Sequence, residues 1–321
     1  MNLKAFIKLI RFNNLVVIAL TMFATRYFLM QPILAIRHST MQLQLSHADF
    51  FLLILSTVLI AAAGYIINDY FDVKTDRINK PQKLYIDNGV KRRVAIFIHT
   101  LFNVVGFLIG LYVAHKAGNI FLCSIQFVCI TLLFFYSTHL KRQVLSGNIL
   151  VAALSAMVSL QILFFEMPLL EHKFLQSIQS FSFLYLSVCS FSLFAFLLSL
   201  VREIVKDMED FKGDYETGCK TMPIVWGIKA SKAIVAGLLS NILLLLIFIF
   251  FKLYKLHFTL LLIYLFVCVF VPLCFLILKL YRSKKKEEYS QLSQWIKYIM
   301  LTGVLSTVII YLTSNGFTVR F

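Results

Sequence analysis

The sequence predicts an all-α fold: a polytopic membrane bundle of nine transmembrane helices around a central cavity. Composition is the first sign. Of the 321 residues, 60% are hydrophobic and 14% charged, and mean hydropathy is +0.84, values far from those of a soluble domain of this length. Second, apolar stretches of the roughly 20 residues needed to cross a bilayer recur along almost the whole chain and leave no large soluble domain over. Third, these runs are uninterrupted. Inside lipid the backbone must satisfy its own hydrogen bonds, so such runs can span only as helices.

The spans are predicted at residues 12–35, 49–71, 94–114, 119–139, 148–169, 181–204, 233–253, 258–280 and 292–313. The first follows Lys4, Lys8 and Arg11, as a signal peptide would, but it is long and lacks a small-residue cleavage pattern, so it reads as a retained span. The second runs directly into an acidic cluster at Asn68 to Asp76, and the sixth into another at Asp207 to Asp214. Those clusters lie four spans apart. This suggests a single domain over 1–321 made of two four-helix units, about 12–140 and 148–280, with a ninth helix added.

Charge sets the expected orientation. Loops after the even-numbered spans hold Lys74, Arg77, Lys80, Lys83, Lys91, Arg92 and Arg93, then Lys141 and Arg142, then Lys206, Lys212 and Lys220, then Arg282 and Lys284 to Lys286. The opposite loops hold little beyond Arg37, Lys116, Lys173, Lys252 and Lys255. The excess of basic residues places the amino terminus and the acidic loops in the cytoplasm and the carboxyl terminus outside, in an integral multi-pass protein of the cell inner membrane. The net charge of +16 therefore reports topology, and no nucleic-acid partner is expected. The six cysteines lie singly, without CxxC spacing, and read as packing residues.

The acidic clusters carry the chemistry. Asn68, Asp72 and Asp76 recur every four residues, with Asp69 three before Asp72, so on a helix they share one face. Asp207, Asp210 and Asp214 fall at i, i+3 and i+7, again one helical face. Seven of the chain's 15 acidic residues lie in these two stretches. Stacked carboxylates repel, and at the ends of membrane spans they make sense with a cation between them. Mg²⁺ is the natural candidate, since it prefers oxygen ligands and binds through a few carboxylates plus substrate phosphates. A bridged diphosphate leaving an allylic carbon is the reaction that needs this arrangement. Lys141 and Arg142 after span four, Arg77 with Lys80 and Lys83, and Arg202 and Lys206 before the second cluster could share the charge of the leaving group. Lys141 and Arg142 equally serve as topology determinants. The 32 Phe and 14 Tyr supply lipid-facing bulk and π faces for an allylic cation. Asn14, polar within the first span, is either a helix–helix hydrogen bond or a pocket residue.

These residues resemble the UbiA superfamily of intramembrane prenyltransferases. Its motif NDxxDxxxD is matched by Asn68, Asp69, Asp72 and Asp76, and DxxDxxxD by Asp207, Asp210 and Asp214. Tyr136 and Lys141, followed by Gly147 and Asn148, look like its YxxxxK element, and Arg11 and Asn14 like its RxxN. The resemblance implies Mg²⁺-dependent transfer of a polyprenyl group from its diphosphate to a lipophilic acceptor among membrane lipids. Asn68 and the six aspartates would hold the metal, and Asn68, Arg77, Tyr136, Lys141, Arg142, Arg202 and Lys206 would bind the diphosphate. The wording NDYFDVKTDRINKP and REIVKDMEDFKGD looks most like the branch that prenylates geranylgeranylglyceryl phosphate, although Lys83 to Gly89 replaces the RPLPSG-type segment frequent in the family. A prenyltransferase of menaquinone or ubiquinone biosynthesis is the nearest alternative. A secondary transporter or cation channel is the alternative of another class.

Overall fold

The computed structural model describes residues 3–37, 41–79, 84–174 and 181–316; Lys80 and Lys83 lie outside them. Among the described residues nine helices are long and apolar enough to cross a membrane: α1 (Phe12–Ile36), α2 (His47–Asn79), α3 (Arg92–Lys116), α4 (Ile120–Thr138), α5 (Ser146–Lys173), α6 (Ser182–Glu209), α7 (Gly227–Lys255), α8 (Thr259–Arg282) and α9 (Lys286–Ser314). The chain is an integral multi-pass membrane protein. Several helices run past the predicted ends, α2 most of all, because hydropathy falls at the membrane edge while i to i−4 bonding continues through polar residues. The whole NDxxDxxxD segment therefore rides on α2.

Several helices pack by recognisable devices. Glycines let backbones approach: a Cβ on Gly106 of α3 would meet Ile60 Cγ1 at 2.9 Å and the Ser56 carbonyl at 3.2 Å on α2. Ser56 Oγ donates to the Gly106 carbonyl at 2.6 Å across the same contact. Small residues and hydroxyls at the seam are how helices associate where lipid removes the hydrophobic drive. Two π-helical turns, Thr25–Met30 in α1 and Phe266–Phe270 in α8, each precede a proline, Pro32 or Pro272. Pro272 has no N–H for the Cys268 carbonyl four residues earlier, and Thr302 Oγ1 of α9 donates to that oxygen at 3.1 Å.

At the end of the bundle remote from the acidic motifs, Arg26 of α1 and Glu166 of α5 form a buried ion pair, 2.8 Å. Glu166 Oε2 accepts the backbone N–H groups of Gln44 and Leu45 at 2.8 and 3.1 Å, and Arg26 Nη2 donates to the Leu45 carbonyl. Each nitrogen of the Arg26 guanidinium and both oxygens of Glu166 thus have a partner, which ties the α1–α2 connection down. Outward faces stay apolar, with Phe97, Phe127, Leu244 and Phe248 exposed as lipid contacts demand.

Candidate active site

Before α1 comes a short helix, Leu3–Leu9, and the chain turns into the bundle at Arg11, whose backbone is left-handed (φ 51°). A side chain with a Cβ disfavours that region by about 1–2 kcal/mol. The side chain offsets the strain: Arg11 Nη2 donates to Asp69 Oδ1 of α2 at 2.8 Å, and the guanidinium stacks 4.9 Å from the Tyr65 ring centroid. Burial alone would depress the Arg11 pKa, yet Asp69 and Tyr65 raise it above its usual value, so the cation is locked.

Asp72 faces α4's end. The chain there leaves α4 through a 3₁₀ turn, Leu140–Arg142, and Lys141 Nζ donates to Asp72 Oδ1 at 2.5 Å. Gly147 allows this turn to fold back: a Cβ there would lie 2.8 Å from Lys141 Cα and 3.0 Å from the Leu140 carbonyl. On the other side, Asn148 of α5 donates to Asp207 Oδ2 at 2.8 Å. Glu203, one turn before Asp207, is buried and accepts from Arg202 at 3.1 Å and from Lys206 at 2.9 Å.

The second acidic motif departs from the single helical face expected of it. α6 ends at Glu209, Asp210 sits at the junction (φ −91°, ψ 7°), and a separate short helix, Phe211–Glu216, carries Asp214. Asn79, the last residue of α2, makes the break. Its Nδ2 donates to the Asp210 carbonyl at 3.1 Å, and its Oδ1 accepts the Gly213 N–H at 3.0 Å. A Cβ at Gly213 would lie 2.4 Å from the Asn79 side-chain amide, so glycine is required for that docking. Lys286 of α9 donates to the Asn79 carbonyl at 2.7 Å and pins the same corner.

One cavity of about 1220 Å³ receives both motifs, larger than the roughly 300–1,000 Å³ of ordinary small-molecule pockets. Asn68, Asp69, Asp72, Asp76, Asp207, Asp210 and Asp214 all line it, with Arg11, Asn14, Tyr136, Lys141, Arg142, Arg202 and Lys206. Arg77 does not; it is exposed on the outer side of α2. Deeper in the bundle the walls turn apolar, through Ile18, Leu133, Val158 and Phe194 to Leu261. Asn14 combines the two roles open to it, since it lines the cavity and its Oδ1 accepts from Lys297 Nζ of α9 at 2.8 Å. Asn79, Glu203 and Lys297 went unread in the sequence. Lys297, a lone charge inside an apolar span, carried a signal that the intramembrane-charge rule detects.

The donor set suits a hard divalent cation: every side chain is an oxygen donor, and the buried Asn68 Oδ1 has no hydrogen-bond partner. Among the described residues no three carboxylates close into a ready cage. An ion that keeps waters and takes ligands from substrate phosphates needs none.

The model of the UbiA prenyltransferase family matches residues 29–314. The chain belongs to this family. The digeranylgeranylglyceryl phosphate synthase of Saccharolobus solfataricus is 30% identical over 95% of this UbiA chain and 96% of its own length, and that of Sulfolobus acidocaldarius 32% identical over 76% of each. Among solved structures, a digeranylgeranylglyceryl phosphate synthase in membranes aligns with TM-score 0.60 at 22% identity, covering 95% of this chain and 98% of the other. A UbiA homologue from Archaeoglobus fulgidus bound to DMAPP and Mg²⁺ aligns with TM-score 0.56 at 14% identity, covering 92% and 98%. The fold is that of the UbiA prenyltransferases, and the chain is a prenyltransferase rather than a transporter or channel.

Proposed function

We propose that this enzyme transfers a polyprenyl group from its diphosphate to geranylgeranylglyceryl phosphate or a closely related phosphoglycerol ether lipid, with Mg²⁺, at the cytoplasmic face of the cell inner membrane. One observation carries the reading: carboxylates from two distant segments line the polar mouth of a single cavity whose interior is apolar. The names of the relatives supply the acceptor class.

Asn68 and the six aspartates would hold Mg²⁺, which when bound supplies positive charge to the leaving diphosphate. The residues of the chain do the rest. Asp69 and Asp72 hold Arg11 and Lys141 at the mouth, where both cations can exchange a carboxylate for a phosphate oxygen. Arg142 and Lys206 complete the cationic rim, and Tyr136 adds a hydroxyl donor. The C1–O bond of the donor breaks and its electron pair leaves with pyrophosphate. A hydroxyl oxygen of the acceptor forms the ether bond, and its proton passes to the pyrophosphate. The apolar walls keep water from competing for the allylic carbon.

Purified enzyme should release pyrophosphate from geranylgeranyl or farnesyl diphosphate only with Mg²⁺ and an acceptor. Asp72→Ala and Asp210→Ala should each lower turnover by at least about 10³-fold while the protein stays folded. Normal turnover in either variant refutes the mechanism. In a panel of phosphoglycerols and hydroxylated aromatics, turnover confined to the aromatics refutes the acceptor.

A further inference from the structure

Lys297 is a charged wall residue that the mechanism above leaves idle. It lies about three turns into α9, inside the membrane-spanning stretch. Its one hydrogen-bond partner among the described residues is the neutral Asn14 Oδ1, at 2.8 Å, and no described carboxylate lies within ion-pair distance. An ammonium has three protons, so two are left over. Arg202 of α6, a helix that packs against α9, lines the same cavity about one and a half turns deeper than Asp207 and is close enough to Lys297 for their charges to interact. The Nε of Arg202 is buried without a hydrogen-bond partner, and its Nη1 shares Glu203 with Lys206. Arg202 and Lys206 thus share the carboxylate of Glu203, while the hydrogen bond of Lys297 goes to the amide of Asn14. Uncompensated positive charge inside a membrane is costly, and where it persists in a cavity it serves a ligand.

We infer that Lys297 and Arg202 form a second anion site, which takes the phosphate of the acceptor. The inference rests on the proposed reading that the acceptor is a phosphoglycerol lipid. Depth separates this site from that of the leaving group. The diphosphate belongs at the carboxylate mouth, its allylic carbon points to the apolar side, and an acceptor hydroxyl must meet that carbon there. A phosphate on the same glycerol then lies at the level of Arg202 and Lys297. Guanidinium and ammonium donors make strong charge-assisted bonds to such a group, whereas a neutral aromatic acceptor would leave both cations bare.

The test uses the full-length enzyme in nanodiscs of neutral phosphatidylcholine, with geranylgeranylglyceryl phosphate and its dephosphorylated alcohol as acceptors. Lys297→Gln should raise KM for the phosphorylated acceptor about tenfold and shrink the preference for it over the alcohol by the same factor, with donor affinity changed less than about twofold. Lys297→Arg should restore the preference. Equal losses with both acceptors, or weakened donor binding, would mean that Lys297 only ties α9 to α1, and would overturn the site. An effect present only in discs containing anionic phosphatidylglycerol would assign the cations to bulk lipid and overturn it too. If Lys297→Gln does not fold, glycerol phosphate with the unaltered enzyme decides: competition against the acceptor supports the site, and competition against the donor alone refutes it. Failure of the unaltered enzyme to use any phosphoglycerol would instead bring down the proposed function itself.

Discussion

Asn79 shows how much one side chain decides here. It ends α2, reaches the carbonyl of Asp210 and the N–H of Gly213, and so brings the second acidic motif over the first. Replacing Gly213 with Ala would drive a methyl to within 2.4 Å of the Asn79 amide. Overpacking of this kind costs about 1–3 kcal/mol. Gly213→Ala should therefore lower the thermal midpoint in detergent. Displacing Asp210 and Asp214 from Asp72 should also cut prenyl transfer by on the order of 10²-fold, read in a steady-state assay. Asn79→Ala should lose comparable activity without the clash. Full activity in both variants would show that this docking does not position the carboxylates.

The helices set the frame within which those side chains act. α2 is the central case, since it packs on α3 and α4 through the span and on the short helix Phe211–Glu216 at its end. Its seam with α3 depends on Gly106, where any Cβ crowds Ile60 and the Ser56 carbonyl. Gly106→Val should push the two helices apart, break the Ser56 hydrogen bond and destabilise the protein by about 1–3 kcal/mol. A substitution of Phe97 by Leu on the exposed face of α3 should be nearly neutral. Thermal unfolding of the two variants side by side checks both outcomes. Distance from the mouth gives the contrast its meaning, because Gly106 touches no acidic residue and its loss should act through stability alone.

For the molecule as a whole, two halves of the chain share one charged mouth, so whatever binds there should hold them together. Mg²⁺ with a non-hydrolysable allylic diphosphate analogue at about 100 times its Kd should add about 2.7 kcal/mol of stability. The thermal midpoint should rise with the pair together and less with either alone. No rise with the pair would argue against a shared site. The proposed orientation is also a whole-molecule property. A cysteine at Lys284, in a background stripped of the native thiols, should react with an impermeant maleimide only from the cytoplasmic side of oriented membranes. One at His257, at the opposite end of α7, should react only from outside. The reverse pattern would overturn the orientation.

Hydropathy and spacing are local properties. From them alone come the nine spans, the membrane location and the helical face shared by Asn68, Asp72 and Asp76. Tertiary contact decided what local pattern could not. The expected helical face through Asp207, Asp210 and Asp214 breaks at Asp210, because the side chain of Asn79, 134 residues from Gly213, takes the Gly213 N–H that a continuous helix would give to the Glu209 carbonyl. Arg77 turns outward, although its neighbour Asp76 lines the cavity, since successive residues on a helix point about 100° apart and only the packing of α2 chooses the inward face. Lys297 meets Asn14 across 283 residues of sequence, a pairing that exists only once α9 has closed against α1. Periodicity tells each helix which face to bury, but where two charged loops meet depends on the closure of the whole bundle.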